Sequence, residues 1–361
     1  MADMNKSLAL VALTILLFAR PVLAQVSTSA DVRAHITNIE RLYDVNGYPQ
    51  AVFDAEDEQA RLYHVDTAES YQEGLRYDIK KGDEVYLVIQ TDTDGSQHAF
   101  LADVVRSSSM IWIVIIFCVL TLAVGWWRGL FALIGLTVTL AILFLFVLPQ
   151  ILNGADPVAT AVIAGILILA VNMHLSHGIS LQTFAAFGST VIGLFLAFAF
   201  AKWFVVLAHL SGLASEDALY VYWQTPSAKS PVGLLLAGIL LSATGVLDDV
   251  AITQNETVAE LKHANPELNA KELFVRAMRV GRHHIASTVN TLVLAYAGVA
   301  LPLFILFLSQ SGVSAFTFIN KEAVAEEVVR TVSGTCALVL TVPISTAIAA
   351  WVAKKGVHKH A

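Results

Sequence analysis

The sequence predicts an α-helical integral membrane bundle of about seven transmembrane helices, preceded by a small N-terminal extracytoplasmic all-β domain. Hydrophobic residues make up 56% of the 361 residues and charged residues only 14%, against roughly 45–50% and about 25% in soluble domains. Apolar runs of membrane-spanning length fill the chain beyond residue 110. Before them, one polar stretch alternates apolar and polar residues, as half-buried strands do. This pattern excludes an intrinsically disordered protein and a nucleic-acid-binding protein.

Residues 1–24 have the features of a secretory signal peptide. Lys6 precedes an apolar core from Ser7 to Phe18, and small residues before Gln25 suit a processing site. We therefore expect cleavage after Ala24. The alternative is an uncleaved first membrane helix, although the apolar core is shorter than the ~20 residues that a span requires.

Residues 25–109 are predicted to form the extracytoplasmic β domain, a barrel or sandwich of five or six antiparallel strands. Segments such as Val32–Ile36 and Glu84–Val88 alternate apolar and polar residues, and the turn signals Asn46-Gly47 and Asp94-Gly95 separate such segments. An oligonucleotide/oligosaccharide-binding barrel is one topology of this size.

The negative charge of the chain is concentrated in this domain. Residues 25–109 contain 16 acidic and 7 basic side chains, whereas residues 110–361 contain 12 and 13. Four acidic residues between positions 54 and 58 are interpreted as a solvated turn, because they lack the ligand spacing of a calcium loop. The two cysteines, Cys118 and Cys336, lie in apolar runs, so no disulfide can stabilise the β domain.

Residues 110–361 are predicted to form the transmembrane helical domain. An odd number of spans after an exported domain places the C-terminus in the cytoplasm. The predicted cytoplasmic segments carry nine basic residues and the opposite side only four, in agreement with the positive-inside rule. The seven predicted spans are residues 110–127, 129–149, 158–176, 181–208, 231–252, 284–308 and 328–353.

Residues 253–283 are predicted to form an amphipathic cytoplasmic loop. Asn269 and Glu272 have the spacing of a capping box, which predicts that a helix begins there. Its apolar face, which includes Leu273 and Ala277, suits either the inner headgroup layer or packing against the protein.

Two polar stripes in the predicted fifth and sixth spans are the main candidates for a functional site. A carboxylate at bilayer depth costs ~2.5–3.5 kcal/mol on insertion scales, so it requires a partner or access to water. Oxygen ligands suit hard cations and imidazole suits transition metals, which predicts a cation or proton path between the stripes. The alternative is that the aspartates anchor Arg276, Arg279 or Arg282. The candidate residues are Asp248, Asp249, Thr253, Glu256, His284, Thr288, Asn290, Thr291 and Tyr296.

Two further groups of polar residues have weaker support. Glu326 and Arg330 are four residues apart at the outer end of the last span, where they can form a helical ion pair or an outer gate. Four histidines near the predicted cytoplasmic side are candidates for a transition-metal site or are simply interfacial residues. They are His174, His177, His283 and His284.

The stretch Gly245–Gln254 and the segments that follow it resemble the YibE/F family of bacterial membrane proteins, and the resemblance loosely covers most of the mature chain. The resemblance implies a multi-pass protein of the bacterial cytoplasmic (inner) membrane with an extracytoplasmic domain, and it implies no particular substrate. Asp249 matches the family's aspartate, so we rank it above Asp248. The segments that carry the resemblance are Gly245–Gln254, Asn265-Pro266, Gly281-Arg282 and Ser287–Tyr296.

These observations predict a transporter or permease for a cation or small solute, with its path through the fifth and sixth spans. The sequence contains no nucleophile-elbow, HExxH or phosphate-binding motif, so we expect no catalytic residues and assign no cofactor. The expected partners are the lipid bilayer and a second copy or a partner membrane subunit, not nucleic acid. The alternative is an assembly or signalling protein that transports nothing and whose β domain binds an extracytoplasmic partner.

Overall fold

A computed structural model describes residues 31–45, 48–69, 79–91, 97–225, 230–309 and 314–356. The predicted signal peptide and the turn signals Asn46-Gly47 and Asp94-Gly95 lie outside the described residues. The chain forms two compact units that divide between Val124 and Gly125.

The first unit contains a five-stranded antiparallel sheet, which confirms the prediction of a small N-terminal antiparallel β structure. Its strand order is β3-β2-β1-β4-β5. The two edge strands, β3 and β5, also contact each other, so the sheet curls towards a barrel. The strands are β1 (Asp31–Val45), β2 (Tyr48–Asp57), β3 (Leu62–Asp66), β4 (Glu84–Thr91) and β5 (Gln97–Val104).

The predicted alternation places the core on one face of this sheet. Ile36, Phe53, Val65 and Leu87 are fully buried together, because every second residue of a strand points to the same face.

The acidic cluster between residues 54 and 58 is not a separate turn as predicted, because β2 continues through Asp57. Asp57 is only 4% exposed and accepts hydrogen bonds from the backbone N–H groups of Gln59 and Arg61. Burial alone would raise the pKa of Asp57, but these hydrogen bonds and those from the Arg61 and Tyr63 side chains lower it.

The second unit is helical. The end of the first unit is helical as well, because the first long helix begins at Ser107 and continues across the boundary. The long helices are α1 (Ser107–Ile142), α3 (Pro157–His177), α4 (Leu181–Leu207), α6 (Pro231–Ala264), α7 (Ala270–Val299) and α10 (Glu322–Gly356). The short helices are α2 (Leu148–Leu152), α5 (Glu216–Gln224), α8 (Leu301–Leu308) and α9 (Ala315–Ile319). A π-helical segment, Leu143–Val147, joins α1 to α2.

Within the described residues, five helical stretches are long and apolar enough to cross a membrane, or six if α7 and α8 form one span bent by 61°. The predicted spans 110–127 and 129–149 fall within one 46-residue stretch, Ser107–Leu152. At 1.5 Å per residue, that stretch is about twice as long as the ~30 Å hydrocarbon core. Trp126 interrupts it with non-helical dihedral angles of φ 50° and ψ −133°.

The predicted loop 253–283 is helical except for residues 265–269. The capping box is confirmed, because the Asn269 side chain and the Glu272 side chain each accept a hydrogen bond from the other residue's backbone. Leu273 and Ala277 are fully buried against α6 and α10. This face of α7 therefore packs on the protein.

α6 is the central helix of the second unit and contacts α3, α4, α7 and α10. Its inner face carries Leu240 and Leu247, which are fully buried with Leu194 of α4 and Leu338 of α10. Small residues allow the helices to approach closely: a Cβ atom on Gly193 would lie 2.4 Å from the Thr341 hydroxyl. This packing determines the direction in which each polar residue of α6 points.

Candidate functional site

Asp248 and Asp249 lie on different faces of α6, because adjacent residues of a helix are about 100° apart. Asp248 faces α1 and α3, where it lines a cavity of about 410 Å³ that we call the Asp248 cavity. The other polar residues that line the cavity are Thr139, Asn172, Ser176 and Thr244.

Hydrogen bonds determine the orientation of the Asn172 side chain. The Thr139 hydroxyl donates to the backbone oxygen of Gly135, 2.9 Å away, so its oxygen is free to accept. The Asn172 Nδ2 atom donates to that oxygen across 3.1 Å. The amide oxygen of Asn172 is buried and has no hydrogen-bond partner. The amide oxygen of Asn172 therefore remains an unpaired hydrogen-bond acceptor.

Asp248 contributes a second unsatisfied acceptor. Its Oδ1 atom is buried and has no hydrogen-bond partner. A buried polar atom without a partner is costly and calls for an explanation such as a bound ion, ligand or water. Two unpaired acceptors on residues that line one cavity suit a cation or a ligand that donates hydrogen bonds.

Gly135 makes room for the Asn172 oxygen. A Cβ atom at position 135 would lie 2.8 Å from Asn172 Oδ1, which is closer than a carbon atom normally comes to an oxygen atom. Gly135, Thr139 and Asn172 were not among the residues predicted from the sequence. An asparagine within an apolar run was the available signal, but Thr139, its partner, lies 33 positions earlier.

Asp249, the residue ranked first from the sequence, points away from this cavity. Its side chain is 70% exposed, and its Oδ2 atom lies 3.7 Å from Nε2 of His284. That distance is too long for a hydrogen bond, so the contact is an ion pair only when the histidine is protonated. Among the described residues, neither aspartate forms an ion pair with Arg276, Arg279 or Arg282.

The structure separates the remaining residues of the two predicted stripes. Thr253, Thr288 and Tyr296 are half-buried, whereas Asn290 and Thr291 are exposed on α7. Glu256 is exposed and lines a small cavity of about 60 Å³ together with His177 and Asn255. Asp249 and His284 are thus the pair that the structure brings together from the two stripes.

A second large cavity, of about 420 Å³, contains the two residues predicted as an outer gate; we call it the Glu326 cavity. Glu326 is 9% exposed, and its Oε1 atom has no hydrogen-bond partner. Arg330 does not pair with Glu326 as expected; its Nε atom lies 3.5 Å from Oε1 of Glu327. Both Glu326 and Arg330 line the cavity.

The four histidines are not brought together as a metal site in the described part of the chain. His174 is buried, with its Nδ1 atom 2.8 Å from the Ala170 oxygen. The described residues contain one group of three metal-ligating side chains, Glu40, Asp54 and His64, whose ligand atoms lie within 4.8 Å of one another. This group is on the outer surface of the β sheet, where His64 is 60% exposed.

Long apolar helices with buried polar groups and a separate β structure define a multi-pass membrane protein. The model of the YibE/F-like protein family matches residues 113–355, and the chain belongs to that family. Neither a curated protein nor a solved structure matches the chain.

Proposed function

We propose that this protein is a membrane permease for a cation or small cationic solute, and that the Asp248 cavity is its binding site. The observation that carries the proposal is the pair of unpaired acceptor oxygens, Asp248 Oδ1 and Asn172 Oδ1, on residues that line one cavity. A cation supplies the charge and the coordination that both oxygens lack.

The proposed path runs along α6 and the α1–α2 stretch. On α6, Leu241, Thr244, Gly245 and Asp248 line the Asp248 cavity, and Leu234 and Leu235 line the Glu326 cavity. On the other stretch, the cavities touch residues 132–139 and 148–152, on either side of the π-helical segment. Buried Ile142 and Phe146 pack there and close the path. π-Helical turns often occur at functional sites, so we propose this segment as the gate.

The proposed topology has seven crossings, with the β structure outside and the C-terminus in the cytoplasm of a bacterial cell. The break at Trp126 supports two crossings within Ser107–Leu152, and the excess of basic residues in the predicted cytoplasmic segments supports the direction. In this topology, the Asp248 cavity lies in the cytoplasmic half of the membrane and the Glu326 cavity lies in the outer half.

The alternative function is that of an assembly or signalling protein that transports nothing. A helical bundle with such a role needs no cavity of this kind, and an unpaired buried carboxylate would only reduce its stability. Two cavities of more than 400 Å³ that are lined by residues with unpaired polar atoms therefore favour the permease.

The test is cation transport by the purified full-length protein in liposomes, measured as current on a solid-supported membrane. The cations offered are H⁺, Na⁺, K⁺, Mg²⁺ and Mn²⁺. We expect a current with at least one cation and a loss of about tenfold or more in Asp248→Asn, because Asn keeps the shape and removes the charge. Asp249→Asn is the matched control and should keep most of the current.

Two results would contradict the proposal. One is an undiminished current in a correctly inserted Asp248→Asn protein. The other is the absence of current with every cation in the series.

A further inference from the structure

The Glu326 cavity has mostly apolar walls. It lies between α2, α5, α6 and the N-terminal end of α10 and shares no lining residue with the Asp248 cavity. Most of its surface therefore suits a hydrocarbon group. The larger apolar residues that line it are Leu148, Ile151, Leu152, Val221, Leu234 and Leu235.

The charge in this cavity is unbalanced. Glu326 is nine-tenths buried and its Oε1 atom has no partner. Asp217 adds a second carboxylate to the lining. Arg330 is the one basic residue in the lining; its Nε atom lies 3.5 Å from Glu327 Oε1 and makes no hydrogen bond. Two carboxylates against one guanidinium leave the lining with net negative charge.

The position of Glu326 is well constrained. The backbone N–H of Ala214 lies close enough to stabilise its carboxylate, and the neighbouring Glu322 accepts a hydrogen bond from the N–H of Ser211. The loop before α5 is thereby joined to the first turns of α10. Glu326 is thus held beside this loop, and its buried Oε1 atom has no hydrogen-bond partner.

We propose that the Glu326 cavity binds a small organic cation with a hydrocarbon body, such as an alkylammonium ion. The ammonium group donates to Glu326 Oε1, and the hydrocarbon lies against Leu234 and Leu235. The ligand supplies the missing hydrogen bond and offsets the excess negative charge of the lining. This inference does not depend on the proposed permease activity, because it concerns binding alone.

The test is isothermal titration of the full-length protein in nanodiscs with three probes of similar size. Isopentylammonium is a cation, 4-methylpentanoate is an anion and leucine is a zwitterion. We expect isopentylammonium to bind, and Glu326→Gln to weaken its binding at least about tenfold. Glu216→Gln is the matched control, since Glu216 is an exposed neighbour outside the cavity lining, and it should bind as the unmodified protein does.

A second variant keeps the test decisive if Glu326→Gln does not fold. Ala218 lines the cavity from the short helix α5, so Ala218→Phe should fill the cavity and abolish binding while Glu326 is retained. Binding of isopentylammonium that is unchanged in both variants would overturn the proposal. Binding of 4-methylpentanoate or leucine in preference to the amine would overturn it as well. Asp248→Asn should leave amine binding unchanged, which separates this result from failure of the permease hypothesis.

Discussion

Asn172 donates from Nδ2 to the hydroxyl oxygen of Thr139 across 3.1 Å, a bond that joins α3 to α1. The opposite amide orientation is unfavourable, because the Thr139 hydroxyl hydrogen is already donated to the Gly135 oxygen. Two helices thus fix the amide of a residue that lines the Asp248 cavity and leave its oxygen without a donor. A bound ligand that reaches this oxygen would supply the missing partner.

Gly135→Ala should impair the Asp248 cavity without removing any polar group. The new methyl group would lie 2.8 Å from Asn172 Oδ1, so the amide must rotate and lose its bond to Thr139. If the permease hypothesis is correct, the cation current should fall several-fold in the liposome assay. Gly188→Ala is the control, because a Cβ atom there meets nothing within 4 Å. An equal loss of current in both variants would contradict this prediction.

The substitution Ser345→Ala should destabilise the contact between α6 and α10. The fully buried Ser345 hydroxyl accepts a hydrogen bond from Asn255 Nδ2 at 2.9 Å and donates one to the Ala251 oxygen at 3.1 Å. We expect a loss of about 1 kcal/mol in unfolding free energy, measured by unfolding in SDS.

Ser333→Ala is the matched control for that experiment. Ser333 is also in α10 and fully buried, but its hydroxyl has no hydrogen-bond partner. Its removal should be neutral or stabilising, because it eliminates an unsatisfied polar group. If the two variants lose equal stability, the interhelical bond does not contribute as we infer.

The pKa of His64 should lie above its ordinary value of 6.5. The hydrogen bond from Nδ1 to Asp54 Oδ1, at 2.9 Å, stabilises the protonated ring, and the nearby carboxylates of Glu40 and Asp66 add to the effect. NMR titration of the ring protons should show this increase, and Asp54→Asn should reverse most of it. An unchanged pKa in Asp54→Asn would show that the hydrogen bond does not control the titration.

The direction of the pH dependence follows from this increase. Because the pKa is higher in the folded protein than in the unfolded chain, the contact stabilises the fold fully below about pH 6.5. The contribution is lost as the pH rises through the raised pKa. Urea unfolding at pH 6 and pH 8 should show this loss, and Asp54→Asn should show a smaller difference between the two pH values.

Residues 25–105 should fold without the rest of the chain. Ile36, Phe53, Val65 and Leu87 belong to a core formed wholly by residues of this segment, and no cysteine links the segment to the helices. The purified segment should give a strand-type circular dichroism spectrum and a dispersed NMR spectrum in water. Disordered spectra would instead indicate that the strands depend on the helices or on a partner.

Local sequence patterns predicted the helices and strands better than they predicted the residues of the Asp248 cavity. The capping box at Asn269 and Glu272 and the alternation around Phe53 depend on residues close in sequence, and the structure confirms both elements. The cavity that Asp248 faces depends on which helices pack against α6. Adjacent aspartates look equivalent in a sequence, and only the packing of α1 and α3 distinguishes Asp248 from Asp249.

The bonds between α6 and α10 also constrain how the protein is made. Gln254 lies 2.9 Å from the Thr346 hydroxyl, 92 residues later, and Asn255 bonds Ser345, 90 residues later. During synthesis, α6 therefore leaves the ribosome long before its polar partners exist. Until α10 emerges, the amide side chains of α6 need other hydrogen-bond partners, which water, the insertion machinery or a chaperone must provide. A chain that stops short of α10 would expose them, and the cell's quality control could recognise it as unfinished.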